Sequence, residues 1–439
     1  MYHAVKLTLF VLSWALAFPI LVFKLEQSWL INVALLSYGS LLLVIMMRMS
    51  RHVMMIILIL LAVGWLVLGR LPLFEEWRQA GLFVLIFAAI IPTQAMMRAV
   101  AMTMPSVRRT QKELGALPPA NTASGLQLVS HFLGGVINTG TFALIAASQP
   151  QDAKEDRRLI AALAALRGMN SSVLWSPFFV SFAVALTYLP QQAAWGAIGI
   201  GIITATLFSF ISMQAFATKG EGIGLLRSLQ PLRPIAGRFA VVFGSVLIVS
   251  AITGLTALHA VVATIPILVA FQLIRRGDTA RPIASHFATF LGRSGDELLI
   301  ISTSMIIAGL AGQSDILAGL FSAIFGEDIA ASGVIFALPV IVWLASLAGV
   351  HPVISSTPIL ALCAPSLSLF EAVLMMQAHM IGWCAGTMNS FSSLSVLTVA
   401  EQFKIEEMKL AYSRNIYVSG GLAVAGGGVL AAIQLVFSG

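Results

Sequence analysis

Asn138, Thr139, Thr141, Asn170, Ser171, Ser355, Ser356, Thr357, Asn389 and Ser390 form four tight groups of neutral oxygen and amide side chains in otherwise apolar sequence. Such groups suit a hard cation such as Na⁺, held near Asn138, Asn170, Thr357 and Asn389, or an anion that accepts hydrogen bonds from amide and hydroxyl donors. The first group lies in "INTGTFALIAAS" over 137–148, whose polar start follows Gly134 and Gly135. A run this polar has no place against lipid, and it predicts an interruption where protein or water satisfies the backbone.

Arg167 adds charge to this set. It stands about 13 Å beyond Arg158 along a helix, past the neighbouring basic loop. At that depth it attracts a carboxylate or holds a broken backbone, or else snorkels to the interface along its own stem. His131, His351 and His379 are titratable groups of the same region, suited to proton coupling or to structural hydrogen bonds. No two of them share a zinc-like spacing, so no metal or cofactor is expected. An intramembrane lipid-modifying enzyme with His351 or His379 as base would need a nucleophile or metal constellation that these spacings do not supply. Cys363 and Cys384 both fall in apolar segments and read as packing residues.

The elements around these residues are membrane helices. Of 439 residues, 59% are hydrophobic and 10% charged, and mean hydropathy is +0.95, far from the roughly 25% charged residues of soluble domains. The net charge of +7 does not point to nucleic acid, because the Lys and Arg residues sit in short loops at 48–52, 98–113, 149–158, 218–238 and 275–293. Such loops face the cytoplasm, which places the N-terminus there too, in the inner (plasma) membrane of a bacterium. Apolar runs predict spans near 7–23, 30–47, 53–69, 81–97, 159–189, 195–217, 238–256, 258–274, 298–312, 371–400 and 414–437.

Loops 98–113 and 149–158 then lie on one side, so 122–148 enters and leaves by the same face, with about 12 residues per arm and its tip near Gly134 to Gly140. No Lys or Arg occurs between Arg293 and Lys404, while Asp315, Glu327, Asp328 and Glu371 do. A second hairpin over 332–366 therefore opens on the opposite face, with His351 to Pro358 at its tip. "GMNSSVLWSP" (168–177) answers "GTMNSFSSLS" (386–395), and Asn138-Thr139 answers Ser355 to Thr357, at offsets of 217 to 219 residues. The expected fold is all-α, about 11 transmembrane helices plus two re-entrant hairpins in two inverted repeats. Residues 1–29 form an extra N-terminal helix, 30–217 the first repeat and 238–439 the second. Breaks are expected near Asn170-Ser171, aided by Pro177, and near Asn389-Ser390.

These motifs resemble the ion transporter superfamily, in particular its divalent anion/sodium symporter branch. Members carry a Ser-Asn-Thr signature at each hairpin tip and a Ser-Pro break some forty residues on. Here Ile137-Asn138-Thr139-Gly140-Thr141 is followed by Ser176-Pro177, whereas the second half reads Ser355-Ser356-Thr357 and Asn389-Ser390-Phe391-Ser392-Ser393, without proline. The resemblance implies a homodimer in the lipid bilayer, moving a small anionic substrate with Na⁺ or H⁺ by an elevator motion. An ion exchanger or inorganic oxyanion exporter of the same fold is the alternative. Few acidic residues lie deep in the spans, which favours cation sites of neutral oxygens over a carboxylate relay.

Overall fold

The apolar runs fold as helices whose ends are closed by the residues beside them. Ser50 accepts the Val53 N–H at 3.3 Å and opens Arg51–Leu68, which ends on Gly69 at φ 63°. Thr256 caps Ala257–Arg275, Ser393 caps Leu394–Phe403, and Ser368 with Glu371 forms a reciprocal capping box on Leu369–Asn389. Prolines open Pro105–Gly115, Pro119–Ile137 and Pro352–Cys363, positions where a missing N–H leaves no bond unmade. The computed structural model describes residues 2–150, 152–216, 224–311 and 331–437, with residues 316, 319 and 323. Lys219, Asp315, Glu327 and Asp328, charges used above for orientation, lie outside them.

Among the described residues there is no strand, and eight helices are long and apolar enough to cross a bilayer. The pair Gly277–Arg293 and Gly295–Ala311, bent by 49°, makes nine when taken as one span. This is an integral membrane protein.

The helices pack as two groups. One surrounds Phe74–Thr103, which is 72% buried over its most apolar stretch, against 22% for Tyr2–Phe23 and Arg51–Leu68. It is the axis, and they are its outer cover. Ser28–Met46, Arg233–Thr253, Ala257–Arg275, Ala280–Arg293 and Gly295–Ala311 complete this scaffold group. Polar pairs fasten it, among them Lys6 Nζ to the Gly292 carbonyl at 2.8 Å and Tyr38 Oη to Ser302 Oγ at 2.8 Å.

The second group holds two helical hairpins, two broken spans and two unbroken helices. The first hairpin runs Pro119–Ile137 then Gly140–Ala146, and the first broken span Glu155–Ser172 then Val180–Tyr188. Ala193–Ala215 follows. The second hairpin runs Ala331–Leu347 then Pro352–Cys363, the second broken span Leu369–Asn389 then Leu394–Phe403, and Asn415–Phe437 closes the chain. In each half the hairpin's first arm packs on the first piece of the following broken span.

The hairpins are interrupted as expected, with differences in detail. The arms of the first are 19 and 7 residues long, not about 12 each. Its ends still meet, since a Cβ on Gly115 would lie 3.1 Å from the Ser148 carbonyl oxygen. The second turns at 348–351, where Gly349 takes φ 85°, so Ser355, Ser356 and Thr357 lie inside the second arm and not at the tip. Pro352 with His351 as its cap restarts the helix before those residues are reached. The basic segments are all helix in part. Phe74–Thr103 continues past the expected end of its span and takes in Arg98, and Ala280–Arg293 occupies most of 275–293. Arg98 is tolerated there because its aliphatic stem lies 4.0 Å from the position of a Cβ on Gly140 and its guanidinium stands 5.9 Å from the Phe290 ring centre.

Candidate functional site

Gly134 and Gly135 let the first hairpin approach the first broken span. A Cβ on Gly134 would meet Met169 Cγ at 2.9 Å and Ser172 Oγ at 3.0 Å, and one on Gly135 would meet the Trp175 ring at 3.0 Å. The hairpin then reverses at Asn138, whose φ of 50° and ψ of −133° are a conformation that side-chain-bearing residues rarely adopt. Asn138 N–H donates to the Gly134 carbonyl at 2.9 Å, and Thr141 N–H to the Asn138 carbonyl at 3.0 Å.

The first broken span stops after Ser172. Ser176 donates to the Gly135 carbonyl and accepts from Phe178 N–H at 3.2 Å, and Pro177 has no N–H to offer, so the chain runs through turns until the helix resumes at Val180. Asn170, fully buried, donates to the Leu166 carbonyl at 2.9 Å and accepts from Thr387 Oγ1 at 2.7 Å and Ser395 Oγ at 3.3 Å. One side chain thereby ties together both broken spans. The second hairpin joins through its turn: Ser392 Oγ donates to the Gly349 carbonyl at 2.7 Å, and the Phe391 ring covers Gly349.

These elements enclose a cavity of about 30 Å³. Asn138, Thr139 and His351 come from the hairpin turns, and Asn170, Val173, Phe179, Val180, Thr387, Leu394 and Ser395 from the broken spans and their breaks. Trp383 and, from the scaffold group, Glu297 complete the wall. A space of this size holds about one water molecule. Between the two groups lies a larger hollow of about 330 Å³, lined by Phe83, Ile86, Leu258 and His259 on one side and Ala183, Leu186, Thr187 and Gln191 on the other.

Of the residues singled out in the sequence, Asn138, Thr139, Asn170 and His351 line the cavity. The others lie outside its wall. Arg167, only 3% exposed, donates through Nε to Gln127 Oε1 at 2.9 Å and through a terminal nitrogen to Asn415 Oδ1 at 2.8 Å, and stacks 4.2 Å from the centre of the Phe216 ring. It clamps the first hairpin, the first broken span and Asn415–Phe437. Asn389 turns away as well, donating to the Ala411 carbonyl at 2.8 Å and accepting from Ser419 Oγ at 2.5 Å. Ser171 donates to the Gly168 carbonyl at 2.7 Å, Ser355 to Pro352 at 3.2 Å and Thr357 to Val353 at 2.8 Å, each within its own helix. Ser390 pairs with Ser392 at 3.0 Å, and the Thr141 and Ser356 hydroxyls are buried with no partner among the described residues.

The histidines divide. Trp175 Nε1 donates to His131 Nε2 at 3.2 Å, so Nδ1 carries the proton and donates to Ser171 Oγ at 2.8 Å, leaving a neutral ring with both nitrogens bonded. His379 Nε2 meets the Ser181 carbonyl at 3.1 Å. His351 alone of the three faces the cavity; its Nδ1 accepts the Val353 N–H at 3.3 Å, which leaves the proton on Nε2. Among the described residues no three His, Cys, Asp or Glu side chains come together as a metal site. Outside the spans, Lys409 hydrogen-bonds Glu155 at 2.9 Å and is held above its ordinary pKa by that carboxylate.

Glu297, Trp383, Thr387 and Ser395 were not singled out from sequence. Thr387 and Ser395 belong to the "GTMNSFSSLS" stretch, so a signal existed. Glu297 stands at the edge of an apolar run and resembles a loop charge.

No protein-family model matches the chain, and no curated protein matches it in sequence. Among solved structures it is similar to the YdaH transporter of Alcanivorax borkumensis, whose topology is described as unusual, at 12% identity and a TM-score of 0.48, over 88% of this chain and 98% of that one. Neither family nor substrate carries over at that distance. The resemblance to the divalent anion/sodium symporters rests on the motifs quoted above.

Proposed function

We propose that the protein is a secondary active transporter of a small organic anion, coupled to Na⁺ or H⁺. The observation that carries this reading is the meeting of both hairpin turns and both broken spans at one polar cavity. Interrupted helices at membrane depth expose backbone groups that a ligand can satisfy, and transporters place binding sites at such points. The twofold order of hairpin, broken span and unbroken helix supports two inverted repeats, and each broken span counted as one crossing brings the total to eleven. The division into a scaffold group and a group bearing the cavity supports an elevator motion of the second against the first, in a homodimer.

The small volume of the cavity favours one further reading, an exchanger of inorganic ions that needs no larger space. Both are tested by counterflow in proteoliposomes with a panel of small carboxylates and oxyanions, with and without Na⁺ and a pH gradient. Saturable exchange of a carboxylate, lost in Thr387→Val, supports the transporter of organic anions. Exchange of oxyanions or cations alone supports the exchanger. Flux of neither class, with folded protein in the membrane, overturns both.

A further inference from the structure

Glu297 is a carboxylate in the wall of a cavity otherwise made of neutral groups. It accepts no hydrogen bond among the described residues, and their ion pairs closer than 4.0 Å, Arg70–Glu76, Arg78–Glu75, Arg293–Glu401 and Lys409–Glu155, leave it out. The charge that acts on it is Arg98, from Phe74–Thr103, whose Nε is buried with no hydrogen-bond partner among the described residues. The remaining charged and titratable groups of the packed elements are engaged or distant. Lys6 donates to Gly292 and senses Asp296, Arg293 pairs with Glu401, His286 lies against Phe290, Tyr38 bonds Ser302, and Arg51 and His52 are exposed. His351, from the turn of the second hairpin, lines the same cavity, with its Nε2 proton free of any partner among the described residues.

The cavity wall thus carries donors, the Asn138 amide and His351 Nε2–H, together with a single carboxylate, Glu297, within reach of the Arg98 charge. Two like charges in a space of about 30 Å³ repel strongly, because little water screens them. We infer that Glu297 sets the anion affinity of the cavity: ionised, it takes the place of a bound anion and excludes another; protonated, it admits one beside the same donors. The inference deepens the transport reading by assigning a residue that promotes anion release, since Glu297 belongs to the scaffold group and meets the polar centre in the arrangement described. The proton comes from water when an anion enters and returns to water when it leaves.

Binding in detergent, without flux, separates this inference from the transport reading. The probe is potassium formate, the smallest carboxylate, against equal potassium gluconate, which is too large for the cavity, with thermal unfolding as readout. Formate is expected to raise the Tm of the natural protein by about 2 °C or more near pH 5 and not near pH 8. Glu297→Gln should show that shift at both pH values, Arg98→Gln combined with Glu297→Gln should lose it, and Asp296→Asn should behave as the natural protein. If Glu297→Gln misfolds, Glu297→Ser takes its place. An equal response of natural and variant protein, including no response in either, overturns the inference, as does a pH dependence that persists in Glu297→Gln, which would transfer the titration to His351.

Discussion

Asn138 combines two demands in one position, a backbone at φ 50° and a carboxamide in the cavity wall. Substitution separates them. Asn138→Gly keeps the turn and removes the amide, so it should match the natural Tm while losing counterflow; Asn138→Ala should also lose stability, by about 1–3 kcal/mol for the strained backbone. Arg167 gives the opposite pattern. Arg167→Ala leaves Gln127 Oε1 and Asn415 Oδ1 without their donor, which costs roughly 2–4 kcal/mol in thermal unfolding, while the apparent KM of the remaining flux should hold. Had Arg167 bound the anion, KM would rise. The sequence marked both residues as unusual, since a charge or an Asn-Thr pair deep in apolar sequence needs a partner, but not which partner. Arg167 answers to an amide 248 residues away, a pairing that local spacing does not encode. Glu297 was hidden for another reason: hydropathy ends a span at the first charge, so an acid one turn inside looks like loop.

At the scale of elements, close packing explains glycines that have nothing to do with turns. A Cβ on Gly168 would overlap the Gln127 carbonyl, and one on Gly201 the Leu174 carbonyl. Gly168→Ala should therefore push the first hairpin off the first broken span and cost about 1–3 kcal/mol in Tm measurements, with flux lost in proportion. Gly199→Ala, with open space around its Cβ, should be neutral or gain up to about 1 kcal/mol from helix propensity. The interruption of the first hairpin was legible because the basic segments on both flanks of 122–148 argue against a single crossing helix there. Its arm lengths were not, because Gly134 and Gly135 read as turn residues although they lie in continuous helix and serve an approach to Met169 and Trp175. In the second hairpin Gly349 followed by His351-Pro352 was the better turn signal than the Ser-Ser-Thr run.

At the scale of the whole molecule, the two helix groups touch where Phe83 stacks on Tyr188, ring centres 5.7 Å apart. Tethering Phe83→Cys to Tyr188→Cys with a short thiol cross-linker should abolish counterflow and leave formate binding in the Glu297→Gln background intact, with reduction of a cleavable linker restoring flux. Flux that survives the tether would end the sliding model. The hollow of about 330 Å³ beside that contact is lined in part by Leu21, Gln79, Gln191 and His259, which stand at or beside helix ends away from the basic segments. Sliding of the second group toward that face would have to consume this space. A rigid apolar compound lodged there would act as a wedge, blocking turnover from a distance, and no excess of the transported solute would dislodge it.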